Sequence, residues 1–104
     1  MTQLLNVTLD KKANVYFDGK VTSRTVLLQD GTKITLGIML PGEYTFNTDL
    51  KERMEITDGF LQYRLPNAEW VTIDGSGQFE VPAKSQFELK VLAVTDYCCH
   101  YIAQ

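Results

Sequence analysis

Turn-forming pairs interrupt this chain so often that no long helix fits between them. Asp18-Gly19, Asp30-Gly31 and Asp58-Gly59 each sit between apolar or β-branched runs. Asp-Gly suits a tight hairpin because it tolerates positive φ. Pro41-Gly42, Pro66-Asn67 and Asp74-Gly75-Ser76-Gly77 add further breaks. The intervening runs have the length of strands: 15–17, 21–29, 35–40, 43–46, 53–57, 60–65, 70–73, 78–81, 86–94 and 96–102. In Phe87-Glu88-Leu89-Lys90-Val91 the apolar residues take one face and the charges the other, as a half-buried strand requires. Residues 49–54 have room for one helical turn. Short strands at this spacing predict an all-β fold, a sandwich or a closed barrel.

With 104 residues there is room for one domain and not two, so residues 1–104 are expected to form a single domain, with 1–14 as a peripheral N-terminal extension. A chain of this size buries enough surface for a core with a thin margin, and a second copy covering exposed strand edges would add to it. The formal net charge is −3 and the basic residues form no cluster, which argues against nucleic acid as a partner, because phosphate neutralisation supplies most of that affinity. No apolar run approaches the roughly 18–20 residues of a membrane helix, and the polar Asn6, Thr8 and Asp10 deny the N-terminus the pattern of a signal peptide. The two cysteines, Cys98 and Cys99, are adjacent. On a strand they point to opposite faces, so two reduced thiols are expected and a strained vicinal disulfide is not. Without a disulfide framework or an export signal, a cytoplasmic protein is expected.

Two stretches go beyond generic β sequence. Gly37-Ile-Met-Leu-Pro-Gly-Glu-Tyr-Thr-Phe-Asn-Thr leads to Glu52-Arg-Met-Glu-Ile-Thr-Asp-Gly59, and Phe79-Glu-Val-Pro-Ala-Lys-Ser-Gln-Phe87 follows. Together they resemble the paired motifs of the cupin superfamily, whose barrels usually hold a metal on a His-x-His pair, a Glu and a third His. Glu52, Gly59 and Pro82 keep the expected Glu, Gly and Pro. The His-x-His slot falls on Phe46 and Thr48, or on Thr45 and Asn47, and the third His slot on Phe87. Lys84 stands where a Gly is usual. The resemblance therefore implies a single cupin-type jelly-roll barrel without its metal.

A nearer resemblance rests on Tyr16-Phe17-Asp-Gly-Lys-Val, Gly37-Ile-Met-Leu-Pro-Gly-Glu-Tyr-Thr-Phe, Phe79-Glu-Val-Pro and Tyr97-Cys-Cys-His-Tyr. In that order, across about 15–102, the chain is similar to the small cupin family of pyrimidine/purine nucleoside phosphorylases. The resemblance implies phosphate-dependent cleavage of purine and pyrimidine nucleosides to free base and ribose-1-phosphate. That would make the chain a broadly specific pentosyltransferase, a glycosyltransferase needing no cofactor and taking a nucleoside and inorganic phosphate. Cupins commonly form homodimers, and one is expected here. The rival reading from another class is a non-catalytic small-ligand-binding or structural cupin whose barrel has filled with side chains.

Phosphorolysis passes through a transition state of oxocarbenium character, so a carboxylate beside the sugar favours it. Glu52 is the first candidate, with Glu43 and Glu55 as alternatives; beside Lys51 and Arg53, a solvated or salt-bridged Glu52 is the plain alternative. Arg64, ahead of Arg24, is the candidate for phosphate, since a guanidinium makes planar bidentate contacts, although either residue also fits a solvent-facing strand position. Tyr44, Phe46, Tyr63 and Phe87 are candidates to stack the base, a contact tolerant of base identity; ordinary core packing is the alternative for each. His100, the only histidine, has the chemistry to protonate a leaving base and equally suits a structural position on a terminal strand. Adjacent cysteines are poorly placed to share one ion, so the Cys98-Cys99-His100 run is not read as a metal motif.

Overall fold

The computed structural model describes residues 3–103. It contains eight strands: β1 (Thr8–Leu9), β2 (Asn14–Tyr16), β3 (Val21–Leu27), β4 (Lys33–Met39), β5 (Gly42–Asn47), β6 (Lys51–Arg64), β7 (Val71–Val81) and β8 (Gln86–Ile102), with one 3-10 turn at Phe17–Gly19. Every pairing is antiparallel. The strands follow the path β1-β3-β4-β8-β6-β7, with β2 beside β3 and β5 beside β8. The all-β expectation holds. The barrel is not closed, however: among the described residues no pairing carries β7 back to β1 or β5, so the sheet curls without completing a hydrogen-bonded ring.

The curl comes from the two long strands. The first half of β8 pairs with β5 and its second half with β4, while β6 runs beside both halves with register shifts between Ile56 and Leu61. These shifts account for one difference from the sequence reading. Asp58-Gly59 is not a hairpin turn but an irregularity inside β6, so the segments 53–57 and 60–65 join into one strand. Gly59 is required there, because a Cβ on it would lie 2.3 Å from the Thr95 hydroxyl oxygen. Bulges bend a strand and increase its twist, which folds the two halves of the sheet over each other. The segments 70–73 and 78–81 likewise merge through Gly75 into β7, and 86–94 and 96–102 into β8. The possible helical turn at 49–54 is strand from Lys51 onward, because pairing with Ile102 and Tyr101 claims its backbone hydrogen bonds.

Folding over creates one main core. Val21, Met39, Tyr97 and Cys99 from one half pack in the same cluster as Tyr44, Phe87, Leu89 and Val91 from the other. A small second cluster, Val26, Ile34 and Cys98, lies on the opposite face and is covered by Val7 and Leu28 from the flanking segments. β1 and β2, within or next to the expected N-terminal extension, both hydrogen-bond to β3. Among the described residues no helix is long and apolar enough to cross a membrane.

Candidate active site

Strand alternation decides which side chains can meet. Tyr97, Cys99 and Tyr101 occupy one face of β8 and Cys98 and His100 the other. The first set, with Glu52 and Met54 of β6, Ser23 of β3, Thr35 and Met39 of β4, and Phe46, Asn47, Tyr16 and Phe87, lines an inner cavity of about 160 Å³. Phe46 stacks on Phe87 with ring centroids 5.5 Å apart, and Tyr16 meets Phe46 edge-on at 6.3 Å. One wall is therefore aromatic. The other carries the hydroxyls of Ser23, Thr35, Tyr97 and Tyr101, with Thr35 and Tyr101 oxygens 3.4 Å apart.

Glu52 is the only carboxylate among the lining residues. It is half-buried and accepts a hydrogen bond from the Cys99 thiol at 3.3 Å. Burial raises its pKa above the ordinary carboxylate value, and the Cys99 bond offsets part of that rise. Burial also raises the Cys99 thiol and the Tyr97 and Tyr101 phenols, with the Glu52 charge adding to all three. These groups stay protonated near neutrality and act as hydrogen-bond donors. Among the described residues, no Lys, Arg or His lines the cavity.

The cupin resemblance raises the question of a metal, and the cavity's donors do not fit the usual set. Glu52 and the protonated Cys99 are the only Glu, Asp, His or Cys side chains there, and imidazole is missing. Phe46 and Phe87, in two of the ligand slots, line the cavity and stack on each other. Thr48, in a third, is buried elsewhere: its hydroxyl donates to the Pro82 carbonyl at 2.6 Å and accepts from the Ser85 N–H at 2.9 Å.

The structure thus brings together Glu52, Phe46 and Phe87 of the residues singled out from sequence, and separates the others. Tyr44 borders the aromatic wall, but it is buried and its hydroxyl donates to the Leu40 carbonyl at 2.6 Å. Tyr63 stacks on Phe79 at 3.8 Å, away from the cavity lining. Arg64 binds Glu88 through Nε and Nη2 and lies over Trp70, 4.7 Å from the ring centroid; it does not reach the cavity. Arg24 is exposed beside the Lys11 carbonyl. His100 lies on the outer face, 3.0 Å from Glu55, with the whole sheet between it and the cavity. Glu43 faces outward on β5.

Sequence reasoning missed Ser23, Thr35, Tyr97, Cys99 and Tyr101. The signal for the last three was present, since a period of two through Tyr97-Cys-Cys-His-Tyr places them on one face. What was lacking was the knowledge that β8 lies between β4 and β6, and so carries that face into the cavity beside Glu52.

The sequence pattern of the pyrimidine/purine nucleoside phosphorylase family matches residues 11–101. A protein of that name from Leptospira interrogans is 60% identical over 103 residues, covering 98% of this chain and 97% of the other. Among solved structures, a protein of unknown function from Acinetobacter sp. ADP1 superposes with a TM-score of 0.92 at 41% identity, over 96% of this chain and 98% of that one. An ectoine synthase from P. lautus, 15% identical, gives 0.66 over 77% of this chain and 62% of its own. That last likeness shows a shared cupin-like fold.

Proposed function

Since the chain belongs to the pyrimidine/purine nucleoside phosphorylase family, we propose that it cleaves purine and pyrimidine nucleosides with inorganic phosphate, in the inner cavity, to free base and ribose-1-phosphate. The supporting observation is Glu52: one half-buried carboxylate facing an aromatic wall and a hydroxyl wall. In this reading the base stacks against Phe46, which Phe87 backs from the core at 5.5 Å; stacking is a contact every base offers, which suits broad specificity. A phosphate oxygen forms the bond to the anomeric carbon as the bond to the base nitrogen breaks. The bonding electron pair leaves with the base, which takes up a proton from the attacking dihydrogen phosphate or from water, since His100 lies on the other face of the sheet. Ionised Glu52 stabilises the positive charge that develops on the sugar, and the Cys99 thiol holds the carboxylate in place. With no cation in the lining, the role first given to Arg64 passes to the hydroxyls of Ser23, Thr35 and Tyr101, which hydrogen-bond phosphate and ribose, while the Tyr97 hydroxyl donates to the Thr22 carbonyl at 3.3 Å.

The reaction is a pentosyl transfer, and no step assigned to these residues calls for a cofactor. We place the protein in the cytoplasm, where nucleosides and phosphate meet, with residues 1–104 working as one domain. The open edges of the curled sheet support a homodimer, because unpaired edges tend to be covered. Sedimentation at about twice the chain mass of 11.8 kDa is the expected result, and sedimentation at that mass would remove the dimer. The test of function is to incubate the purified protein with uridine and, separately, adenosine, with and without phosphate, and to quantify free base. Phosphate-dependent release from both is expected. Release without phosphate would make the site a hydrolase, and no release from either would favour a binding protein.

A further inference from the structure

The outer face of the sheet holds a second constellation that phosphorolysis does not use. Glu55 on β6 stands directly opposite Cys98 on β8, and His100 follows two residues along on the same face. One carboxylate oxygen, the Cys98 sulfur and one imidazole nitrogen all lie within 4.8 Å of one another. We propose that Glu55, Cys98 and His100 form a binding site for a borderline divalent transition ion of the zinc class, on the sheet face opposite the inner cavity.

Several features support the assignment. The donors are a cysteine sulfur, an imidazole and a carboxylate, the three side-chain types that zinc takes, at bond lengths of about 2.0–2.3 Å. The sulfur binds as the thiolate and releases its proton to solvent as the ion arrives. Calcium and magnesium prefer all-oxygen sets, so the sulfur and nitrogen select against them. The geometry is close to formed before any ion arrives. Bonds of that length bring the ligand atoms of a tetrahedral ion to roughly 3.3–3.8 Å from each other, and His100 Nε2 is already 3.0 Å from Glu55 Oε1. The adjustment falls to Glu55, whose side chain is 44% exposed and pairs with His100. Cys98 is fixed in the outer-face cluster between Val26 and Ile34, and Ile34 is the cross-strand neighbour of His100. Two adjacent strands therefore hold the sulfur and nitrogen in a defined relation.

Three protein ligands leave a tetrahedral ion one further position. The three residues line an outer groove of about 910 Å³, together with Leu9, Leu36 and Gln78, so that position opens toward the groove and holds water or a small donor ligand. From sequence, the objection to a metal here is that adjacent Cys98 and Cys99 are poorly placed to share one ion. The structure removes that objection, since only Cys98 takes part and the third ligand comes from another strand.

Cobalt(II), a spectroscopic stand-in for zinc, tests the site on the full chain. Titration is expected to produce a near-ultraviolet sulfur-to-cobalt charge-transfer band that saturates at one equivalent per chain and is bleached by zinc. Cys98→Ser removes the band while Cys99 is still present, and His100→Gln weakens cobalt binding by at least roughly tenfold. On the unsubstituted protein, zinc slows alkylation of Cys98 and leaves that of Cys99 unchanged, as read by peptide mass mapping, so the test does not depend on a variant's folding. Absence of a saturable band, its survival in Cys98→Ser, or equal alkylation of Cys98 with and without zinc would overturn the site and leave an ordinary His–Glu pair beside a buried thiol.

Discussion

Each face of β8 sets a cysteine beside a glutamate of β6, and the two pairs serve different ends. Inside, Cys99 meets Glu52 at 3.3 Å among aromatic rings and hydroxyls, with no cation in the lining. Outside, one residue away, Cys98 faces Glu55 with His100 beside it, at the edge of a wide groove. Burial raises both thiols, that of Cys98 to about 11, so burial alone does not distinguish them. The partner does. A carboxylate supplied only with neutral donors suits a transient positive charge on a sugar, whereas a carboxylate joined by imidazole and sulfur suits a metal ion. Adjacent residues on a central strand thus belong to separate sites, because the pleat sends them to opposite sides.

Core truncation should separate the faces most strongly. Phe87 is 2% exposed and packs against both Phe46 and Phe79, so Phe87→Ala is expected to cost about 3–5 kcal/mol in urea unfolding. A cost below about 1 kcal/mol would mean that the inner face is not the main core. Ile34→Ala on the outer face should cost less, near the lower end of about 2–5 kcal/mol, because its small cluster is bordered by flanking segments able to close over the gap. Base release per folded molecule should be unchanged in Ile34→Ala, and a lost rate there would couple the two faces.

The smallest stability effect concerns Glu52. Burial lets the folded protein keep this proton to higher pH than the unfolded chain does. Folding disfavours the ionised form, so stability falls as pH rises from the ordinary carboxylate value through the raised one. Glu52→Gln escapes that loss. Its Tm should match the parent's in acid and exceed it at neutral pH, and a lower Tm at neutral pH would show that the charge stabilises the fold. The catalytic rate has the opposite dependence: it should fall in acid, with a midpoint above the ordinary carboxylate range, as Glu52 takes up its proton. A midpoint at or below that range would take the role away from Glu52.

Much of the fold was legible because β sequence announces itself locally. Alternation at 87–91 and the turn at Asp30-Gly31 needed no tertiary information. The same Asp-Gly pair at 58–59 misled, because only the packing of Gly59 against Thr95 makes it a bulge rather than a hairpin. Within the site, Glu52, Phe46 and Phe87 were reachable through the cupin slots they occupy. Arg64 was not excluded by sequence, because its partners Glu88 and Trp70 come from other strands and appear only after pairing. His100 drew attention as the only imidazole, yet the side of the sheet it takes depends on which face of β8 turns inward.

The most direct test of the central claim, that the inner cavity is the phosphorolysis site and Glu52 its carboxylate, is phosphate-dependent base release by Glu52→Gln, measured beside its Tm. The account predicts that kcat/KM falls at least about a hundredfold in a protein as heat-stable as its parent or more so. Turnover at the parental rate in that folded variant would contradict it.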